Sequence, residues 1–300
     1  MSDTTSKFST HDVISADGSH LRAWTNGATG PTILLSNGLG TNPYSWPGLL
    51  KPDCGVNVVS WNHRGTSGSG YAVNERVDLD AFVEDAIAVM DDARIESCVI
   101  ASWSAGVTVA FELLRRHPER VQGILAVAGV PGNTFATMLA PLKVPGPIAK
   151  QLTLGLAHTV SATGNLVEVG TRRIPWTRVG ARALRLTRLI DPNATNEDLR
   201  VMLDEFITTH PSWYAELAKA VSRTTRISLS GVEVPTTFIG GRRDLLVGAK
   251  HVRSAADRVR DSRYLGIDGT HFLPLEFPDI MTAEIHALLE RVASANSHNS

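Results

Sequence analysis

The chain is predicted to adopt an α/β fold, with a mostly parallel central sheet flanked by helices and a helical lid insertion. Three observations lead there. Apolar strand-like runs alternate with helical spacings from residue 31 to 128 and again from 235 to about 293, the pattern of a sheet covered on both faces. Between Val130 and about Val232 the alternation stops and only helical pieces follow. Polar or glycine-rich segments recur directly after the apolar runs, at the carboxyl ends of strands, where ligands bind in such sheets. The expected division is a core of residues 1–130 and 233–300 with a lid of residues 131–232.

Taken in order, Phe8 to Ile14 and Leu21 to Thr25 flank Ala16-Asp17-Gly18, a hairpin signal because Asp-Gly suits a tight turn. Pro31 to Ser36 is a continuous apolar run ending in Asn37-Gly38-Leu39-Gly40, as expected of a strand buried on both faces. Val56 to Trp61 is the next strand, followed by the loop from Asn62 to Gly70. Leu79, Phe82, Val83, Ala86, Ile87 and Met90 share one helical face. A strand from Cys98 to Ala101 then passes into a helix from Ala105 to about His117, which Pro118 stops. Val121 to Ala128 is the last strand before the insertion.

Four prolines break the start of the insertion, at positions 131, 141, 145 and 147, and helices are expected over Ile148 to Val160, Arg178 to Ile190, Asn196 to Thr209 and Tyr214 to Val221. Its basic run, Arg172 to Arg188, reads as a solvated helix face rather than an anion site. Alternation resumes with a strand from Pro235 to Gly240, a helix around Ala249 to Val259, a strand from Arg263 to Ile267, and a last helix from about Pro274 to Ala293.

Composition narrows the partners. Net charge is -1 with no basic block, which speaks against nucleic acid or an anionic membrane. The N-terminal ten residues are polar, unlike a signal peptide, and the most apolar run, Gly123 to Val130, is too short to span a bilayer. A cytoplasmic location is expected. Cys54 and Cys98, the only cysteines, have no metal-ligand spacing, so neither a disulfide framework nor a zinc site is indicated; no metal and no cofactor is expected.

The chemistry centres on Ser102-Trp103-Ser104-Ala105-Gly106. A serine between a strand and a helix, framed by small residues, fits a sharp turn that exposes its oxygen above the sheet. The same serine also suits a helix cap, so the surroundings must decide. Asp244, in Gly241-Arg242-Arg243-Asp244, and His271, in Gly269-Thr270-His271, stand just past strand ends on the same sheet edge. A serine hydroxyl needs a base to take its proton, an imidazole titrates near neutral pH, and a carboxylate fixes the tautomer of that imidazole.

With Asn37 to Gly40, His63 to Gly68 and Glu276-Phe277-Pro278 added, these segments resemble the α/β-hydrolase family, in its order and over nearly the whole chain. The resemblance implies a catalytic triad of Ser104, Asp244 and His271 and an oxyanion hole from the Leu39 and Ala105 amides. His63 is then structural, with Arg64 tying down its loop. Asn37 stands where many members have histidine, and Ser102 replaces the first glycine of the elbow. Asp268 is close to His271 but reads as a turn residue.

A serine nucleophile argues against the haloalkane dehalogenases and epoxide hydrolases of this fold, which attack with aspartate. The apolar lid and Trp103 beside the nucleophile suggest an apolar substrate-binding pocket. The expected function is a carboxylesterase or lipase-like hydrolase acting on a small-molecule ester. A carbon-carbon bond hydrolase or a lactonase would use the same residues, and a ligand receptor of this fold is the reading from outside enzymology. The sequence does not set the oligomeric state.

Overall fold

The computed structural model describes residues 8–132 and 190–299, together with Gln151, Gly155, Thr159, Arg182, Leu184 and Arg185. Eight strands form one sheet: β1 (Ser9–Ile14), β2 (His20–Thr25), β3 (Thr32–Ser36), β4 (Asn57–Trp61), β5 (Cys98–Trp103), β6 (Val121–Val127), β7 (Thr236–Gly241) and β8 (Ser262–Ile267). Their order is β1-β2-β4-β3-β5-β6-β7-β8. The first two are antiparallel to their neighbours, and the other six run parallel.

Helices cover both faces. On one side α1 (Leu79–Asp92), α2 (Ala105–Arg116) and α5 (Ala249–Ala256) bury Phe82, Val89, Phe111 and Val252 against Leu34, Ile100 and Phe238. On the other, α7 (Pro278–Asn299) buries Met281, Ile285 and Leu288 against Ile33, Val99 and Leu125. Neighbouring residues of one strand feed opposite cores, as a period of two requires. That double burial explains the uninterrupted apolar runs in β3, β5 and β6.

Local signals account for the element ends. Asp78 starts α1 by accepting from the Ala81 amide at 2.8 Å, an N-cap bond. The hairpin turns through Gly18 at φ +85°, and the Ser15 amide donates to the Ser19 carbonyl at 2.9 Å. The last helix differs from expectation: a short turn, α6 (Leu273–Glu276), is separated from α7 by Phe277 at φ -135°, ψ 57°. Pro278 causes the break, since a proline disfavours helical backbone in the residue before it.

Strand β5 runs two residues beyond its expected end, with Ser102 opposite Ser36 and Ala126 and Trp103 opposite Val127. The reactive-looking serine therefore follows the strand without a spacer. Between β6 and β7, α3 (Asn196–Phe206) and α4 (Pro211–Ser222) are helices, and no strand occurs among the described residues there. The helices expected over 148–160 and 178–190, and the basic run from Arg172 to Arg188, lie almost wholly outside the described residues.

Candidate active site

The carboxyl ends of β3, β5, β7 and β8 bring the candidate residues together. Ser104 sits between β5 and α2 at φ 54°, ψ -116°, a region that costs a side-chain-bearing residue roughly 1–3 kcal/mol. Its side chain makes no capping bond to α2, so the helix-cap role does not account for it. Close packing permits the turn: a Cβ on Gly106 would lie 2.0 Å from the Ser36 carbonyl oxygen. Ser102, at the position of the missing glycine, is buried and donates to the Leu125 carbonyl at 2.8 Å. Its hydroxyl is absorbed by the sheet without disturbing the elbow.

His271 lies within reach of two partners. Its Nε2 is 2.9 Å from Ser104 Oγ and its Nδ1 is 2.8 Å from Asp244 Oδ2. An ionised carboxylate only accepts, so Nδ1 carries the proton and Nε2 is left to accept from the serine hydroxyl. Asp244 is itself fixed. Its Oδ1 accepts from the amides of Leu246 at 2.7 Å and Val247 at 2.8 Å, which orients the second oxygen toward the imidazole. Asp268 turns elsewhere, with its carboxylate 3.0 Å from Arg243 Nε.

The loop after β3 lies over the elbow. Asn37 holds it: its Oδ1 accepts from Trp46 Nε1 at 3.1 Å and from the Gly38 amide at 3.0 Å, while its Nδ2 donates to the Asn42 carbonyl at 3.2 Å. Asparagine thus serves where histidine is common. Among the described residues, neither the Leu39 amide nor the Ala105 amide has a hydrogen-bond acceptor. For Ala105 this follows from its place as the first residue of α2, where no intrahelical partner exists.

Trp103 departs from the expected substrate-binding role. It is 2% exposed and points inward, its Nε1 donating to the His271 carbonyl at 2.9 Å. Its ring packs under Gly38 and at 5.8 Å from the imidazole. The alternation of β5 sends Trp103 into the core beneath the site, so it shapes the His271 loop and not a pocket wall. Tyr214, packed on Gly40, and Phe206, with ring centroids 5.2 Å apart, stand by the loop after β3.

Arg64 ties down the loop after β4 and His63 is buried beside it, as the family resemblance implied. Arg64 is fully buried and bonds both oxygens of Asp85 at 2.7–2.9 Å. His63 is buried against Phe82 at 5.6 Å, and burial lowers its pKa to about 4. Burial also pushes the Cys98 thiol up to about 12, which leaves it no nucleophilic character near neutral pH. No cluster of side chains among the described residues could hold a metal ion, and no described helix is long and apolar enough to cross a membrane.

The order of these segments matches a known family profile, described as the alpha/beta hydrolase fold, over residues 31–278. The chain belongs to this family. Among curated relatives, it is 28% identical to Epoxide hydrolase B of Mycobacterium tuberculosis (strain ATCC 25618 / H37Rv) over 120 residues. That match covers 35% of this chain and 33% of the relative, so only about a third of the relative's length is spanned. Among solved structures, the enol-lactonase from Burkholderia xenovorans LB400 superposes with a TM-score of 0.71 at 20% identity, covering 94% of this chain and all of that one. A thermophilic esterase from Thermogutta terrifontis gives 0.72 at 18% identity, over 95% of this α/β hydrolase and 99% of that chain. At these identities the superpositions speak for the fold.

Proposed function

We propose that this α/β hydrolase is a serine hydrolase cleaving carboxylic esters with an apolar acyl or alcohol part. The observation that carries the reading is the hydrogen-bonded chain Asp244–His271–Ser104, ending on a serine held at φ 54°. In the first step Ser104 Oγ attacks the ester carbonyl while His271 Nε2 takes its proton. The amides of Leu39 and Ala105 receive the negative charge that develops on the carbonyl oxygen. Collapse breaks the bond to the alcohol, and the imidazolium returns its proton to the departing oxygen. A water, deprotonated by the same imidazole, then attacks the acyl-enzyme; the bond to Ser104 Oγ breaks, the imidazolium returns the proton to Oγ, and the acid is released.

The nucleophile is serine, whereas epoxide opening in this fold employs an aspartate, so an ester fits the site better than an epoxide. Leu39, Phe206 and Tyr214 beside the oxyanion loop favour an apolar substrate group. A panel of p-nitrophenyl esters of increasing acyl length tests the reading. Sustained release by the wild type and its loss in Ser104→Ala support it. Equal turnover in both proteins contradicts it. Ligand-raised melting temperature with no steady-state turnover would favour a receptor instead.

A further inference from the structure

Three contacts tie residues 202–214 to the loops after β3 and β4: Asn42 Nδ2 donates to the Met202 carbonyl at 3.0 Å, Trp213 Nε1 donates to the Arg64 carbonyl at 2.7 Å, and the Tyr214 ring packs on Gly40. A fourth centres on Asp191, just before α3, and reaches the segments that follow β7 and β8. Its buried carboxylate pairs with Arg243, the residue next to Asp244. Its backbone amide donates to Glu276 Oε1 at 2.9 Å. Arg243 continues across, with its backbone amide donating to the Gly269 carbonyl at 2.9 Å and its guanidinium to the Asp268 carbonyl at 2.6 Å. Glu276 accepts from the Thr270 amide at 2.8 Å and also from the Thr270 hydroxyl, one residue before His271.

The two carboxylates on Arg243 are not equivalent. The Asp268 side chain is 70% exposed, whereas that of Asp191 is 6% exposed. An exposed ion pair holds a long side chain weakly, so the buried partner fixes the guanidinium. The Asp244 and His271 loops are thereby clamped to each other through one arginine, and both are clamped to Asp191. Alignment matters here because His271 must meet two partners at once, and a displacement of about 1 Å in such a site can cost roughly 10²-fold in rate.

We propose that Asp191 is a positioning residue for the reaction, just before α3, whose carboxylate holds Arg243 and whose backbone amide holds Glu276, so that the Asp244 and His271 loops stay in register. The seating of Asp191 and α3 on these loops then sets the alignment of the imidazole. The inference rests on the triad reading given above.

The test variant is Asp191→Asn. It keeps the backbone amide on Glu276 and the acceptor for the Asn193 amide, now 2.9 Å from Asp191 Oδ1. Arg243 keeps Asp268, so no charge is stranded. The expected result is a kcat about 10- to 100-fold lower, with KM changed less than about threefold and the rate of phosphonate inactivation falling in parallel. Arg243→Met, at a half-exposed side chain, should give a similar loss, and the double variant should add less than about twofold to it, because the two residues act as a unit. Asp204→Asn, which breaks the exposed pair with Arg200 in α3, should leave kcat unchanged.

A lower melting temperature with unchanged kcat per folded molecule in Asp191→Asn would overturn the proposal, and so would fully multiplicative losses in the double variant. If Asp191→Asn does not fold, Arg243→Met carries the same kcat test. Ser104→Ala is measured alongside. Activity surviving in Ser104→Ala sinks the triad reading, whereas a dead Ser104→Ala beside a fully active Asp191→Asn sinks only the role of Asp191.

Discussion

Two buried polar networks lie on the same sheet edge, and they are built differently. Around Arg64 every donor is used: Nε and one terminal nitrogen meet Asp85, the other meets Asp17 and the Arg76 carbonyl, and Ser15 completes the set. Around Ser104 the satisfaction is incomplete. The serine is partly exposed and held at φ 54°, and the nearby Leu39 and Ala105 amides have no acceptor among the described residues. The first arrangement has nothing left to offer a ligand and fixes the His63–Gly68 loop. The second keeps strain and free donors in reserve, which suits a site that must bind charge developing during a reaction.

That contrast predicts opposite consequences for the two aspartates. Asp244→Asn should lower kcat by about 10⁴-fold, since the imidazole would adopt the wrong tautomer, with little change in denaturant midpoint. Asp85→Ala should do the reverse, costing about 3–5 kcal/mol of stability by leaving a buried guanidinium without its main counter-charge. Its kcat per folded molecule should stay near wild type. Urea unfolding and steady-state kinetics on both variants decide the matter, and a large kcat loss in Asp85→Ala would erase the distinction.

His63 sharpens the comparison from the structural side. It borders a cavity of about 10 Å³ behind the first turn of α2, and burial holds its pKa near 4, below the ordinary 6.5. The unfolded chain therefore takes up a proton here between pH 6.5 and about 4 that the folded chain refuses. The stability contribution is complete above pH 6.5 and is lost as the pH falls through that window, by up to about 3 kcal/mol. His63→Leu should flatten the difference in unfolding free energy between pH 7 and pH 4.5. An unchanged pH slope would refute this account of His63.

The smallest change in stability concerns the elbow itself. Ser104→Gly removes a side chain from a backbone region that favours glycine and should stabilise the fold by about 1–2 kcal/mol while abolishing turnover. A stabilised but inactive variant is the signature of strain kept for function. A destabilised one would mean that the serine contributes to folding.

Much of this is legible in the sequence. Strand positions followed from apolar runs because both faces of the sheet are covered, and Ser104, Asp244 and His271 fell at strand ends in the order the geometry uses. What was missed depends on contacts distant in sequence or on small shifts of register. Trp103 read as a pocket residue because it adjoins Ser104, but β5 continues to Trp103 and its alternation turns that side chain inward. The last helix read as continuous, although Pro278 was a visible stop signal. Asp85 was also visible, a lone carboxylate on the apolar face of α1 between Phe82 and Ala86, yet its partner Arg64 is 21 residues away. Asp191 gave no signal at all, since its contacts to Arg243 and Glu276 span 52 and 85 residues.

The central claim is that Ser104 is the nucleophile, activated by His271. Its most direct test is stoichiometric labelling with a fluorophosphonate followed by mass mapping of the modified peptide. One label per chain on Ser104, with the labelling rate collapsing in His271→Ala, is the predicted result. Label on any other residue, or Ser104 labelling that is indifferent to His271, would contradict it.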